Sequence, residues 1–186
     1  GETTFYEYVM QEDKENVKGL YILKNGVPFF TGVRDKISNI DELPFPAFEF
    51  IDFKKYKNPI RKKYPISSVI TSRGCPHECI YCFHDRTLRM RSPENVVDEI
   101  EWQVNNFGIK EICIVDDNFT ANIQRAERIC DLIIERKIKV AMQCWNGIRA
   151  DRVTKQLLEK MKKAGIWLVC FAPETGSEDT LLKIKK

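Results

Sequence analysis

The chain has 186 residues, 43% of them hydrophobic and 31% charged, with a formal net charge of +3. That length suits one domain and is short for a complete enzyme barrel, so the chain reads as part of a longer protein. The near-neutral charge gives no argument for a polyanionic partner, and the sequence shows neither a membrane-length apolar run nor a charged-then-apolar leader. Its seven cysteines are an odd number, three clustered at 75–82 and four scattered at Cys113, Cys130, Cys144 and Cys170. This is not a disulfide framework, and a reducing, cytoplasmic setting is expected with the scattered four as small buried hydrophobes.

Residues 1–64 are expected to form an N-terminal extension. A short amphipathic helix is predicted near Thr4 to Gln11, followed by strands at Gly19–Leu23 and Val27–Thr31 around Asn25-Gly26, a strong two-residue hairpin signal. The segment Asp41-Glu-Leu-Pro-Phe-Pro-Ala-Phe-Glu-Phe50 carries two prolines and three phenylalanines. It suits an extended arm that lays rings along another surface.

Residues 65–186 alternate strand and helix patterns. Ile66–Ser72 is the first strand and runs into the clustered cysteines. Ser92-Pro93-Glu94 starts a helix with Val96, Ile100, Val104 and Phe107 at helical spacing and Gly108 as its stop. Glu111–Asp116 is a second strand, Ala121–Arg136 a second helix, Val140–Trp145 a third strand, Thr154–Ala164 a third helix and Ile166–Phe171 a fourth strand. Ser177 caps a last helix. Strands joined by helices imply right-handed crossovers and a parallel sheet. The fold class is therefore α/β, a partial (β/α) barrel of about four units, with a flat doubly wound sheet as the alternative. In either, the loops after the strands meet on one rim, bringing together the cysteine loop, Asp116 to Asn118, Gln143 to Asp151, and Glu174 to Ser177.

Cys75, Cys79 and Cys82 are spaced C-x3-C-x2-C with no fourth cysteine nearby. Three readings are open: a structural zinc completed by His77 or His84, an iron–sulfur cluster with one open iron, or three unrelated buried thiols. Ligands confined to one loop favour wrapping a cluster over two separated zinc-ligand pairs.

With Tyr81 before the last cysteine and Phe83 after it, this motif resembles the radical S-adenosylmethionine (SAM) signature. The resemblance extends over residues 40–186. Its carriers are the Asp-Glu-Leu-Pro-Phe-Pro-Ala-Phe arm, Thr-Ser-Arg-Gly74, Arg89-x-Arg-Ser-Pro-Glu-Asn95, Val-Asp-Asp-Asn-Phe-Thr120 and Glu-Thr-Gly-Ser177. These look like the branch with an N-terminal cobalamin-binding domain, and Gly-Glu-Thr-Thr-Phe5 is similar to the end of that domain. The resemblance implies a [4Fe–4S] cluster on Cys75, Cys79 and Cys82, whose open iron chelates SAM. Reductive cleavage then gives a 5′-deoxyadenosyl radical that abstracts a substrate hydrogen. It also implies cobalamin bound by a domain outside this chain, an electron donor such as flavodoxin or ferredoxin, and methyl transfer to an unknown small molecule. The cobalamin-binding segment and the last two strands of a six-stranded partial barrel are missing from the pattern.

Candidate SAM contacts are Tyr81, Phe83, Asp116, Asp117, Gln143, Arg149 and Glu174. Asp116 and Asp117 follow strand two, where the family receives the methionyl amino group, although Asp117 or Asn118 serves equally as a helix cap. Glu174 is placed for the ribose hydroxyls, or as an N-terminal carboxylate for the next helix. Arg149 and Gln143 are placed for the cofactor carboxylate, while Arg149 also suits a surface pair with Asp151. Trp102, Trp145 and Trp167 read as core. The basic stretch Lys54–Lys63 suits a solvated linker better than an RNA surface. The methylthiolating branch would add three upstream cysteines, and none precedes Cys75. The alternative function is a non-catalytic zinc or iron–sulfur module that binds a partner or RNA.

Overall fold

A computed structural model describes residues 1–186, which fall into two units, Gly1–Ser38 and Asn39–Lys186. The division lies earlier than the expected boundary at 64/65. The physical reason is the aromatic arm, which is packed onto the βα unit. Phe45 and Phe48 each have ring centroids 5.7 Å from Trp102, and Phe48 and Phe53 lie 6.0 and 5.9 Å from Phe107. Phe50, the arm's third phenylalanine, is 86% exposed.

In the first unit, helix α1 (Glu2–Met10) precedes strands β1 (Tyr21–Lys24) and β2 (Val27–Phe30), which pair antiparallel. Asn25 and Gly26 both have positive φ, 54° and 79°, the pair a type I′ turn requires. Tyr21 stacks on Phe30 across the hairpin at 4.9 Å. Arg34 donates to the Glu7 carboxylate and ties the end of this unit to α1.

The second unit is built on a four-stranded parallel sheet, β3 (Ile66–Val69), β6 (Glu111–Ile114), β7 (Ala141–Ile148) and β8 (Ile166–Phe171), in the order β3-β6-β7-β8. Helices α2 (Pro93–Phe107), α3 (Ile123–Glu135) and α4 (Lys155–Lys163) connect the strands, and α5 (Glu178–Lys183) follows the last. The helix-boundary signals have structural counterparts. Ser92 accepts from Asn95 N at 3.2 Å, Pro93 opens α2, and Gly108 ends it in the left-handed region at φ 63°. Asn122 and Thr154 cap α3 and α4 through Arg125 N and Leu157 N.

The strand faces alternate. Val69, Ile112, Ile114, Met142 and Cys144 join Val96, Ile100, Ile129, Ile133, Leu157 and Met161 in one buried core. Burying each such side chain contributes roughly 1.5–3 kcal/mol. The partnered pair Cys113 and Gln143, with Glu111, faces the other way. Strand β7 runs three residues beyond the expected Trp145, and its register against β8 shifts between Cys144 and Ile148, a bulge at the rim. Two further strands, β4 (Ser72–Arg73) and β5 (Arg89–Met90), form a short antiparallel ribbon that closes the cysteine loop at its base. The expected first strand therefore breaks after Val69, and its last residue belongs to this ribbon.

Candidate active site: three thiols on a shared rim

The base of the cysteine loop is fixed from two sides. Asp116, just past β6 and 3% exposed, accepts from Thr71 N at 2.6 Å, from Ser72 Oγ at 2.7 Å and from the Thr71 hydroxyl. Arg125 donates to the Thr71 carbonyl and, at 2.7 Å, to the Arg91 carbonyl. Asp117 Oδ2 accepts from Gly74 N at 3.0 Å, and Cys75 N donates to the Asp85 carbonyl at 2.9 Å. Gly74 has φ +82°, and a Cβ there would lie 2.4 Å from the Thr87 carbonyl oxygen and 2.7 Å from that of Asp85. Only glycine fits this approach.

Cys75 and Cys79 are 8% and 7% exposed, and Cys82 is exposed; all three are free thiols. Burial pushes the Cys75 thiol above its ordinary range, with the Asp117 charge acting the same way. His84 Nε2 lies 2.9 Å from the Cys75 carbonyl, so that nitrogen carries the donated proton. The ring's other nitrogen, Nδ1, lies 3.1 Å from Cys82 Sγ. Arg149 Nη1 stands 3.9 Å from Cys79 Sγ, while its other nitrogens hold Asp151 at 2.9 and 3.1 Å. That pair raises Arg149 and lowers Asp151 from their ordinary values.

The three cysteines line a cleft of about 170 Å³, together with Asp117 and Asn118 after β6, Asn146 to Arg149 at the end of β7, and Ala172 and Glu174 after β8. All four strand-end loops thus contribute to one cavity. Glu174 sits at φ +65° with its carboxylate 3.0 Å from Lys186 Nζ. Lys186, and then the Tyr81 hydroxyl, hold that carboxyl below its usual range. Ser177 caps α5 through Thr180 N.

Among the expected contacts, the structure brings Tyr81, Asp117, Arg149 and Glu174 to the cleft and does not bring Asp116, Gln143 or Phe83 there. Asp116 is consumed by Thr71 and Ser72. Gln143 is fully buried and bonded to Glu111 Oε1 at 2.6 Å and the Ile60 carbonyl at 3.1 Å, at the opposite end of the strands. Phe83 is wholly exposed. Asn118 Oδ1 accepts from Thr120 N and caps only the short turn Phe119–Ala121, while Asn122 caps α3, so neither Asp117 nor Asn118 caps the helix that follows. Trp167 is 36% exposed rather than core, its indole N–H bonded to Glu111 Oε1 at 2.9 Å. Asn146 and Gly147 lie within the segment Gln143 to Asp151 expected on the rim and border the cleft, although neither is among the expected ligand contacts.

No three His, Cys, Asp or Glu side chains are grouped as tightly as a single metal ion would need. Cys75, Cys79 and Cys82 border one cavity and would hold an iron–sulfur cluster there as thiolates. The residues present fit such a cluster, and the Arg149 guanidinium beside Cys79 complements its negative charge.

Comparison with known proteins agrees with this geometry. Residues 69–186 match the family model described as the Radical SAM superfamily. An uncharacterised methyltransferase of Pyrococcus horikoshii is 32% identical, the match covering 100% of this chain and 41% of the relative. Cytidylyl-2-hydroxyethylphosphonate methyltransferase of Streptomyces wedmorensis is 31% identical over 79% of this chain and 29% of the relative. The anaerobic magnesium-protoporphyrin IX monomethyl ester cyclase of Cereibacter sphaeroides is 28% identical over 90% of this chain and 28% of the relative. The chain thus spans well under half the length of these relatives. Among solved structures, the radical S-adenosylmethionine methyltransferase TsrM from Kitasatospora setae, with tryptophan and a SAM analogue bound, superposes with a TM-score of 0.71. That match covers 97% of this chain and 37% of TsrM at 16% identity, a likeness of fold.

Proposed function

Because the chain belongs to the radical SAM superfamily, we propose that it is the cluster- and SAM-binding part of a cobalamin-associated methyltransferase acting on a small molecule. The observation that carries this reading is the meeting of Cys75, Cys79 and Cys82 with the loops of three further parallel strands around one cleft. Methyl transfer is supported by the names of the relatives in Pyrococcus and Streptomyces. Cobalamin is supported by the TsrM structure that carries both cobalamin and a [4Fe–4S] cluster.

When bound there, a [4Fe–4S] cluster would supply one electron to SAM and so generate a 5′-deoxyadenosyl radical. The protein's own part is positioning and shielding. Cys75, Cys79 and Cys82 would hold the cluster. Asp116 and Asp117 keep the loop that carries Cys75 in place through Thr71, Ser72 and Gly74. Of the two, Asp117 borders the cleft and would complement a ligand ammonium. Tyr81, Arg149 and Glu174 border the same cavity and would contact the nucleoside or the amino-acid end of the ligand. A low-potential donor such as flavodoxin or ferredoxin would reach the exposed side of Cys82. The seven free thiols support a reducing, cytoplasmic setting, and no helix is long and apolar enough to cross a membrane.

Anaerobic reconstitution tests the reading. Uptake of about four irons and four sulfides per chain is expected, with a change in the reduced cluster's paramagnetic spectrum on adding SAM. Uptake of zinc alone, or a spectrum indifferent to SAM, would refute it.

A further inference from the structure

Asn118 borders the cleft and is only 3% exposed. Its Oδ1 accepts from Thr120 N at 3.2 Å and from Thr120 Oγ1 at 3.1 Å. A backbone N–H can only donate, so these bonds fix which end of the amide is oxygen. The other end, Nδ2, is buried without any hydrogen-bond partner. A buried donor without an acceptor bears its whole desolvation penalty, and such a group calls for a specific explanation. Gln103 Oε1 is also unmatched, but Gln103 lies on α2 and does not border the cleft.

We propose that Asn118 Nδ2 is a ligand-binding donor that recognises an oxygen acceptor of SAM held against the three thiols. The proposal rests on the radical SAM reading above and extends it to a residue whose other amide end caps a turn. An amide nitrogen has N–H bonds to give and no lone pair to offer, so it cannot receive the ligand's ammonium group. The neighbouring Asp117 has the opposite polarity. Its Oδ2 accepts from Gly74 N, and its charge suits an ammonium. Asp117 and Asn118 together present an acceptor and a donor side by side, the pattern that reads both ends of a zwitterionic amino acid. The Thr120 bonds hold the Asn118 amide in that orientation before any ligand arrives, so Asn118 itself need not rotate. Nδ2 is closed off from solvent, and a ligand oxygen reaches it as the neighbouring lining gives way.

The test uses the anaerobically reconstituted protein and SAM itself. Asn118→Asp keeps the oxygen that Thr120 needs and replaces the donor with an acceptor. Asn118→Ser keeps a short cap for Thr120 N and removes the reach of the amide. Both variants are expected to retain wild-type iron and sulfide content and the wild-type cluster spectrum without ligand. Both should bind SAM about tenfold more weakly by equilibrium dialysis, equivalent to about 1.4 kcal/mol. If either variant carries a full cluster and binds SAM within twofold of wild type, the proposal is overturned. If Asn118→Asp fails to take up iron, Asn118→Ser decides. Failure of the wild type itself to take up iron or to bind SAM would mark the collapse of the radical SAM reading, and the proposal would fall with it.

Discussion

Ser72 Oγ donates to Asp116 Oδ2 at 2.7 Å, and this bond ties the chain leading into the cysteines to the end of the neighbouring strand. Two bonds from Thr71 converge on the same carboxylate, so a single buried acid sets where β3 stops and the cysteine loop starts. An acid at a strand end in an α/β sheet invites a ligand-binding interpretation. Here its partners are Thr71 and Ser72 at the base of the cysteine loop.

Asp116→Asn is therefore expected to weaken the loop before it alters any ligand contact. The amide offers one acceptor oxygen in place of two and sets an N–H against donors from Thr71 or Ser72. Loss of a satisfied buried acceptor costs about 1–3 kcal/mol. Chemical denaturation should show that loss in the cluster-free protein. The reconstituted variant should release iron to a chelator faster than wild type. Unchanged stability together with weakened SAM binding would instead return Asp116 to direct ligand contact.

Gly74→Ala should be more severe. Its φ of +82° disfavours any side chain, and the new Cβ would meet two backbone carbonyl oxygens closer than 3.0 Å. Neither carbonyl can retreat without opening the β4–β5 ribbon or the bond from Cys75 N to Asp85. A penalty of a few kcal/mol is expected, the range for strained backbone positions. Iron uptake should fall sharply. Wild-type iron content in this variant would show that the loop base does not control the thiols.

Much of this architecture is legible in the sequence because its signals are local. Ser92-Pro93 and Gly108 bracket α2, Asn25-Gly26 turns the hairpin, and the apolar run of β6 marks a strand covered on both faces. What sequence cannot supply is the direction of neighbouring side chains where regular structure ends. Asp116 and Asp117 are adjacent and alike, yet one turns inward to Thr71 and Ser72 and the other borders the cleft. Gln143 lies on β7 as expected but short of the rim, since the bulge and extension of that strand move the rim on to Asn146 and Arg149. Phe83 follows the last cysteine of the motif, but loop geometry alone decides that its ring faces water.

Glu111 supplies a test far from the cleft. It is fully buried, and its carboxylate accepts from Lys62 N at 2.6 Å, Lys63 N, Gln143 Nε2 at 2.6 Å and Trp167 Nε1 at 2.9 Å. The basic segment is thereby anchored through its backbone rather than left as a free linker. Glu111→Gln removes the charge that strengthens all four bonds and gives one position a donor where an acceptor is needed. A destabilisation of about 1–3 kcal/mol is expected, with a shift in the tryptophan emission maximum from Trp167. The reconstituted variant should retain SAM binding at the temperatures where it is folded. Loss of SAM affinity in a fully folded Glu111→Gln protein would contradict the separation of this floor from the rim.

The last expectation concerns a thiol that has no part in the cluster. Cys130 on α3 is completely buried, and burial raises its pKa from 9.0 to about 12. It should resist alkylation at pH 8 in the folded protein while exposed Cys82 reacts in the cluster-free form, because the thiolate is the nucleophile. The sign of its effect on stability follows from linkage. Between pH 9 and 12 the folded protein keeps a proton that the unfolded chain has lost, so stability is full below pH 9 and falls as pH rises. The slope from this one group approaches about 1.4 kcal/mol per pH unit within that window. Urea unfolding of wild type and Cys130→Ala at pH 8 and pH 10.5 isolates the contribution. The variant should be less stable at pH 8 for want of the packed sulfur, yet lose less on going to pH 10.5. Equal losses in the two proteins would mean that Cys130 is not the buried thiol this structure describes.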